Sequence, residues 1–197
     1  MKIDYSNMRM GSNKTTFALR YVLCSLRSWL YFTFKFRNVE YKGFIRVMKG
    51  THFAPGAQIR LGHNVQFGMY CDVATDLTVG DNVLFAGKVC VVGKHDHTFN
   101  EVGKTIWQGN HEQGQPTVIG NDVWLGNGVT VVGPVKIGSG SIVAAGAVVT
   151  RNIPSCEIWG GVPARKIADR FTTNADKERH LKLISMQAKD IKEPLLI

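Results

Sequence analysis

An apolar residue recurs every six positions through the middle of the chain: Leu61, Phe67, Val73, Val79, Phe85 and Val91. After a gap the beat resumes at Ile119, Leu125, Val131, Ile137, Val143 and Val149. The residue that follows is usually Gly or Ala, as in Gly62, Gly68, Ala74, Gly126 and Ala144. Position five is small or β-branched in most units, as in Val65, Cys71, Val89, Val129, Ser141 and Ala147. An earlier unit is read over residues 55–60, with Ile59 in position five. Such a unit is a short strand followed by a turn. Position one buries an aliphatic side chain, and position two needs a small residue where the backbone bends. Three hexads close one triangular coil, each strand pairing in parallel with its counterpart about 4.8 Å away. One coil cannot bury its own inner face, so neighbouring coils supply the core. The expected fold is an all-β solenoid. A β-sandwich of alternating strands would not hold a six-residue beat through two separate runs.

The two runs are offset by 28 positions, from Val91 to Ile119, which is not a multiple of six. An irregular segment is therefore inserted, and residues 97–118 read as a long loop leaving the coil. Loops of that length inside a domain tend to be functional. The flanks differ in character. Residues 15–30 read as a helix, with Arg20, Cys24, Arg27, Ser28 and Tyr31 on one face and Phe17, Leu19, Leu23, Leu26 and Leu30 on the other. Residues 32–37 (FTFKFR) alternate as a strand. Asn174 is read as the N-cap of a helix over 175–189. Both flanks can cover the open ends of the coil stack. The chain thus divides into an N-terminal helix/strand cap (1–54), a solenoid (55–167) and a C-terminal helical extension (168–197).

Charge changes the picture at one end only. Lys and Arg number 24 against 15 acidic residues, a net +9. Residues 1–60 hold eleven of those cations against Asp4 and Glu40, so all of the net charge lies there. A nucleic-acid-binding role for the whole chain loses its footing. The basic segment also carries Phe17, Trp29, Tyr31, Phe32, Phe34 and Phe36. That mixture over residues 15–46 suits contact with an anionic membrane surface. It also suits simple capping, with the helix burying its apolar face on Ile59 and Leu61. Both hold if Arg20, Arg27, Lys35 and Arg37 face outward. No run reaches 18 uninterrupted apolar residues; the richest, 17–36, is broken by Arg20, Arg27 and Lys35. A transmembrane helix is therefore excluded, and the polar start does not suit a cleavable signal peptide. Cys24, Cys71, Cys90 and Cys156 show no paired spacing, which fits reduced thiols in a cytoplasmic protein. No metal-ligand spacing is present.

Residues 119–167, IGNDVWLGNGVTVVGPVKIGSGSIVAAGAVVTRNIPSCEIWGGVPARKI, resemble the hexapeptide-repeat acyltransferases. They look most similar to the sugar and polysaccharide O-acetyltransferases, the branch with the maltose and galactoside acetyltransferases. The DVWLG, AAGAVVTRNIP and GGVPARKI elements carry the likeness. It implies a left-handed parallel β-helix, a homotrimer with active sites between subunits, and acetyl-CoA as donor. The left hand comes from the resemblance alone, since crossovers are usually right-handed.

In such enzymes a histidine at the junction of coil and loop is the general base, and imidazole has the right basicity near neutral pH. Here the junction reads Gly93-Lys94-His95-Asp96-His97-Thr98, so His95 and His97 are both candidates. The resemblance places Trp124 beside the active-site groove and Asn127 at a donor contact. It assigns the Ala145 N–H to the pantetheine arm, Thr150 and Arg151 to the adenosine end, and Arg165 to phosphate. Where the family can carry a second arginine, this chain has Ala168, with Lys166 or Arg170 as replacements. His111, Glu112 and Glu101 lie in the loop, as ordinary loop residues or as groups that orient the base or touch the acceptor. His52, His63 and His180 have no partner in sequence. The leading function is O-acetylation of a sugar or polysaccharide-precursor hydroxyl, in the cytoplasm or peripherally at the inner face of the membrane. N-acetylation of an aminosugar nucleotide and a non-catalytic scaffold are the alternatives.

Overall fold

All twelve position-one residues of the two runs are buried, the most exposed being Leu61 at 3%. The computed structural model describes residues 3–5, 8, 10–94, 97–98, 100–109 and 114–188. Among these, the hexad strands stack into three parallel sheets, the faces of a left-handed β-helix. The first face runs Val39–Tyr41, Ile59–Leu61, Leu77–Val79, Thr117–Ile119 and Lys136–Ile137. The second runs Ile45–Val47, Val65–Phe67, Leu84–Phe85, Trp124–Leu125, Ile142–Val143 and Glu157–Gly160. An antiparallel strand, Arg165–Asp169, closes it. The third runs His52–Phe53, Asp72–Val73, Cys90–Gly93, Thr130–Gly133 and Val148–Val149. Down the core, Phe36, Phe53, Phe67 and Phe85 form a stack with successive centroids 5.1, 5.1 and 4.3 Å apart.

Position two is small for a different reason than bending. A Cβ on Gly126 would lie 2.5 Å from the Ala145 nitrogen of the next coil, so the requirement is close approach between coils. The bend itself falls two residues later. Asn64, Tyr70, Asn82, Lys88 and Asp122 all take φ between +53° and +60°, and glycines take that position at 128, 140 and 146. Asn and Asp tolerate the left-handed region better than other side chains. At the corner between first and second faces, position-three side chains also tie coil to coil. Asp81 Oδ1 accepts from the His63 N–H at 2.6 Å, Asn121 Oδ1 from the Asp81 N–H at 2.7 Å, and Ser139 Oγ from the Asn121 N–H at 3.0 Å.

The ladder begins earlier than residue 55. Tyr41, Val47 and Phe53 keep the six-residue beat and pair with Leu61, Phe67 and Val73 across a 20-residue coil. Two extra residues between Phe53 and Leu61 break the phase, and Lys42 and Met48 occupy the small-residue position, which conceals the first coil in the sequence.

The N-terminal segment departs from expectation twice. The helix α1 spans Lys14–Leu30, with the Asn13 side chain capping it through the Thr15 and Thr16 N–H groups. Residues expected to form a strand instead continue it as a π-helical turn, Tyr31–Lys35. That turn sets Phe32 against Phe53 at 6.0 Å and closes the end of the core, which an alternating strand would not do. The second departure is which side of α1 is buried. Tyr21 stacks on Phe44 at 4.2 Å, and the Ser28 hydroxyl donates to the Ile45 carbonyl at 2.6 Å. The expected inner face, Leu19, Leu23, Leu26 and Leu30, is exposed. At the other end α2 spans Asn174–Gln187, and Thr173 rather than Asn174 is its cap, accepting from the Asp176 N–H at 3.1 Å.

Candidate active site

Thr117–Ile119 lies 40 residues after its partner Leu77–Val79, whereas Ile137 follows Ile119 by 18. The 22 additional residues leave the corner between third and first faces and return in register. The coil is interrupted without being displaced. His97 is half-buried at the root of this loop; His95 lies outside the described residues, as do His111 and Glu112. The root is locally ordered by Thr98, whose hydroxyl donates to Glu101 Oε1 at 3.1 Å. Lys104 also pairs with Glu101. The hydrogen bond from Lys104, with that from Thr98, holds the Glu101 carboxyl below its ordinary range. Glu101 is thus spent on loop structure. Beyond it, a short 3₁₀ turn, Ile106–Gln108, presents Trp107 to solvent, 90% exposed.

The residues assigned to the donor fall on neighbouring coils. Trp124 is half-exposed on the outer side of the second face, between Leu84 and Ile142. Asn127 and Ala145 follow at the next corner, one coil apart, where the Asn127 carbonyl accepts from the Gly146 N–H at 2.8 Å. The strand Val148–Val149 then leads across the third face to Thr150 and Arg151, both exposed. The Ala164 N–H donates to the Val148 carbonyl at 2.8 Å and thereby sets Arg165 beside that same coil. Arg165 in turn donates to the Ala164 carbonyl at 2.8 Å. Val91, Val131 and Val149 are in register, so the loop corner lies two coils, about 10 Å, below Thr150. Within one chain the third face separates Trp124 from His97.

The outer row of that third face was not read from the sequence as functional. It carries His52, Asp72, Cys90, Thr130 and Val148, in register coil by coil. His52 Nδ1 meets Asp72 Oδ1 at 2.9 Å. Partial burial, and next the Asp72 carboxylate, push the Cys90 thiol above its ordinary value. The other two histidines without sequence partners are also paired: His63 with Asp4 at 2.9 Å and His180 with Asp122 at 2.8 Å. The second-arginine replacements are both engaged. Lys166 pairs with Asp169 at 2.7 Å and Glu157 at 3.1 Å, hydrogen bonds that raise its pKa. Arg170 pairs with Asp122 at 2.6 Å. Among the described residues there is no group of three or more His, Cys, Asp or Glu that could hold a metal ion.

A pantetheine arm needs a narrow strip with backbone donors and no bulky side chains. Gly126, Ala145 and Gly146 provide one, none with a side chain larger than a methyl, beside Asn127 at the same corner. Arg151 and Arg165 are the exposed cations at its far end, and guanidinium forks suit phosphate oxygens. The residues present fit a coenzyme A thioester.

Comparison with known proteins places the fold in a family. Residues 116–151 match the family described as "Bacterial transferase hexapeptide (six repeats)". The chain is 32% identical over 137 residues to the galactoside O-acetyltransferase of Escherichia coli K12, covering 66% of this chain and 63% of that enzyme. It is 31% identical over 179 residues to the "Putative lipopolysaccharide biosynthesis O-acetyl transferase WbbJ" of the same organism, covering 76% of this chain and 91% of that protein. It thus spans under two thirds of the first relative's length and nearly all of the second's. A galactoside acetyltransferase solved in complex with coenzyme A superposes with a TM-score of 0.59 at 26% identity, over 85% of this chain and 76% of that one.

Proposed function

The chain belongs to the bacterial hexapeptide-repeat transferases, and from that premise we propose that it is an acetyl-CoA-dependent O-acetyltransferase acting on a sugar hydroxyl of a polysaccharide or lipopolysaccharide precursor. The observation that carries this reading is the match to the "Putative lipopolysaccharide biosynthesis O-acetyl transferase WbbJ" over 91% of that protein's length. The donor supplies its acetyl group as an activated thioester. The chain's own residues hold the donor and move one proton. Ala145, through its backbone N–H, orients the pantetheine arm, while Thr150 and Arg151 hold the adenosine end and Arg165 a phosphate. A junction histidine, His95 or His97, takes the proton of the acceptor hydroxyl as its oxygen attacks the thioester carbonyl. The same histidine then returns that proton to the departing sulfur, so a C–O bond replaces a C–S bond with no net proton released. Charge developing on the carbonyl oxygen is met by a backbone N–H.

We further infer a homotrimer. Trp124 and His97 lie on opposite sides of the third face in one chain, and a neighbouring chain seated against it would bring such residues to one groove. The test is an acceptor screen of sugars and sugar nucleotides with acetyl-CoA, scoring free thiol release and an acetyl mass gain. The expected result is thiol release that requires the acceptor, with a product cleaved by mild base as an ester is. A product that resists mild base would assign N-acetylation instead. Failure to bind acetyl-CoA by calorimetry would overturn the donor assignment.

A further inference from the structure

The helix α1 has an inner side and an unpartnered outer side. Tyr21 and Ser28 attach it to the second face. On the opposite side Leu19, Leu23, Leu26 and Leu30 follow a 4-3-4 spacing, one continuous stripe on a helix. These leucines are 44–62% exposed. Trp29 extends the stripe and touches Phe34 edge-on at 6.2 Å; Phe34 is 66% exposed. Five large apolar side chains on α1, with Phe34 of the following π-helical turn, form a patch that marks an interaction site.

Charge identifies the occupant. From residue 5 to residue 39 the sequence contains no Asp or Glu, but carries Arg9, Lys14, Arg20, Arg27, Lys35 and Arg37. Arg20, Arg27, Lys35 and Arg37 are exposed. Arg27 lies over the Tyr31 ring at 5.8 Å and Lys35 over Phe36 at 5.0 Å, so these heads are held close to the helix. A second copy presenting the same stripe would bring two uncompensated cationic segments together. An anionic lipid surface complements both features, taking the leucines into its acyl boundary and the cations at its headgroups. No helix among the described residues is long and apolar enough to cross a membrane. An α1 lying in the interface needs no such length.

We propose that α1 docks the protein peripherally on an anionic lipid bilayer, with the Leu19–Leu23–Leu26–Leu30 stripe inserted and Arg20, Arg27, Lys35 and Arg37 on the headgroups. This stands apart from the acetyl-transfer reading and survives its failure. The full chain is mixed with vesicles of phosphatidylcholine and phosphatidylglycerol, or of phosphatidylcholine alone, and sedimented at low and high salt. Binding is expected to the anionic vesicles at low salt only. Arg20→Gln with Arg27→Gln should weaken partitioning about twenty-fivefold, at about fivefold per charge. Leu23→Ser with Leu26→Ser, both outside the core, should weaken it at least about tenfold. Circular dichroism on both variants verifies that the β-helix is intact. Protein left in the supernatant at low salt overturns the proposal, as does equal binding by the parent and both variants. A fall in assembly mass in the leucine variant, by light scattering, would assign the stripe to contact between copies and also overturn it.

Discussion

Asp122 and Arg170, 48 positions apart in sequence, meet at 2.6 Å where the first and second faces join. The same carboxylate oxygen takes His180 of α2 at 2.8 Å, and Arg170 also donates to the Gly140 carbonyl at 2.9 Å. One aspartate therefore anchors the C-terminal extension to the β-helix. Asp122 sits at φ +53°, a conformation Asn adopts readily, so Asp122→Asn removes charge and little else. The expected cost is about 1.5–3 kcal/mol, the scale for hydrogen bonds to charged groups. Limited proteolysis within α2 should accelerate in parallel with a lower melting temperature. Asp122→Ala should be worse, because it adds strain in the left-handed region.

The coil-to-coil approach at position two predicts a contrast between a position-two glycine, Gly126, and a bend glycine of the next coil, Gly146. Gly126→Ala places a methyl 2.5 Å from the Ala145 backbone nitrogen, and neither backbone can yield cheaply. Overpacking of this kind costs about 1–3 kcal/mol. Gly146 has φ +70° and open space around its Cα, so Gly146→Asn should change the urea midpoint far less. Equal shifts for the two variants would mean that the coils are more deformable than this contact implies.

Much of the fold was legible because the hexad is a spatial rule as well as a sequence rule. Asn127 and Ala145 differ by 18 positions, so stacking of their corners follows from coil arithmetic alone. The first coil was not legible, since its two extra residues shift the phase and Lys42 stands where a glycine marks later coils. FTFKFR alternates as a strand does, but Phe32 and Phe36 are also one helical turn apart, and docking on Phe53 selects the helical option. The His52–Asp72 pair spans 20 positions, the length of that elongated coil, and so could be found only once its length was known. Arg170 was out of reach, because its partner is chosen by the docking of α2.

The junction histidines give a kinetic prediction. Replacing the true base by Ala should lower turnover about a hundredfold or more, with donor affinity little changed. Replacing the other should have a much smaller effect. Near-normal turnover in both His95→Ala and His97→Ala would move the base away from the loop root.

Cys90 and Asp72 offer a test of the third face's electrostatics. Burial, then the Asp72 charge, disfavours the Cys90 thiolate. Alkylation by iodoacetamide should therefore be slow below the ordinary thiol pKa and quicken as pH rises past it. Asp72→Asn removes the neighbouring negative charge, so the thiol becomes more acidic and the thiolate fraction at fixed pH increases. Faster labelling of Cys90 in that variant, read by peptide mass, is the expected outcome. An unchanged rate would show that Asp72 does not act on this thiol.

Arg165 and Arg170 lie five positions apart near the C-terminal end of the solenoid, yet the structure gives them different surroundings. Arg170 is committed to Asp122 and the Gly140 carbonyl. Arg165 is exposed, hydrogen-bonded only to the adjoining Ala164 carbonyl among the bonds described, and stands beside the Thr150 coil. Arg165→Ala should therefore weaken coenzyme A binding about tenfold, the loss of a charge-assisted pair of about 1.5 kcal/mol, with the melting temperature unmoved. Arg165→Lys should recover only part of that affinity, because an ammonium cannot reproduce the planar fork. Arg170→Ala should do the reverse, lowering the melting temperature while calorimetric affinity for coenzyme A stays near the parent value. If Arg170→Ala weakens binding and Arg165→Ala does not, the phosphates lie nearer α2 than the family resemblance implies, and the donor path along Ala145 and Thr150 must be redrawn.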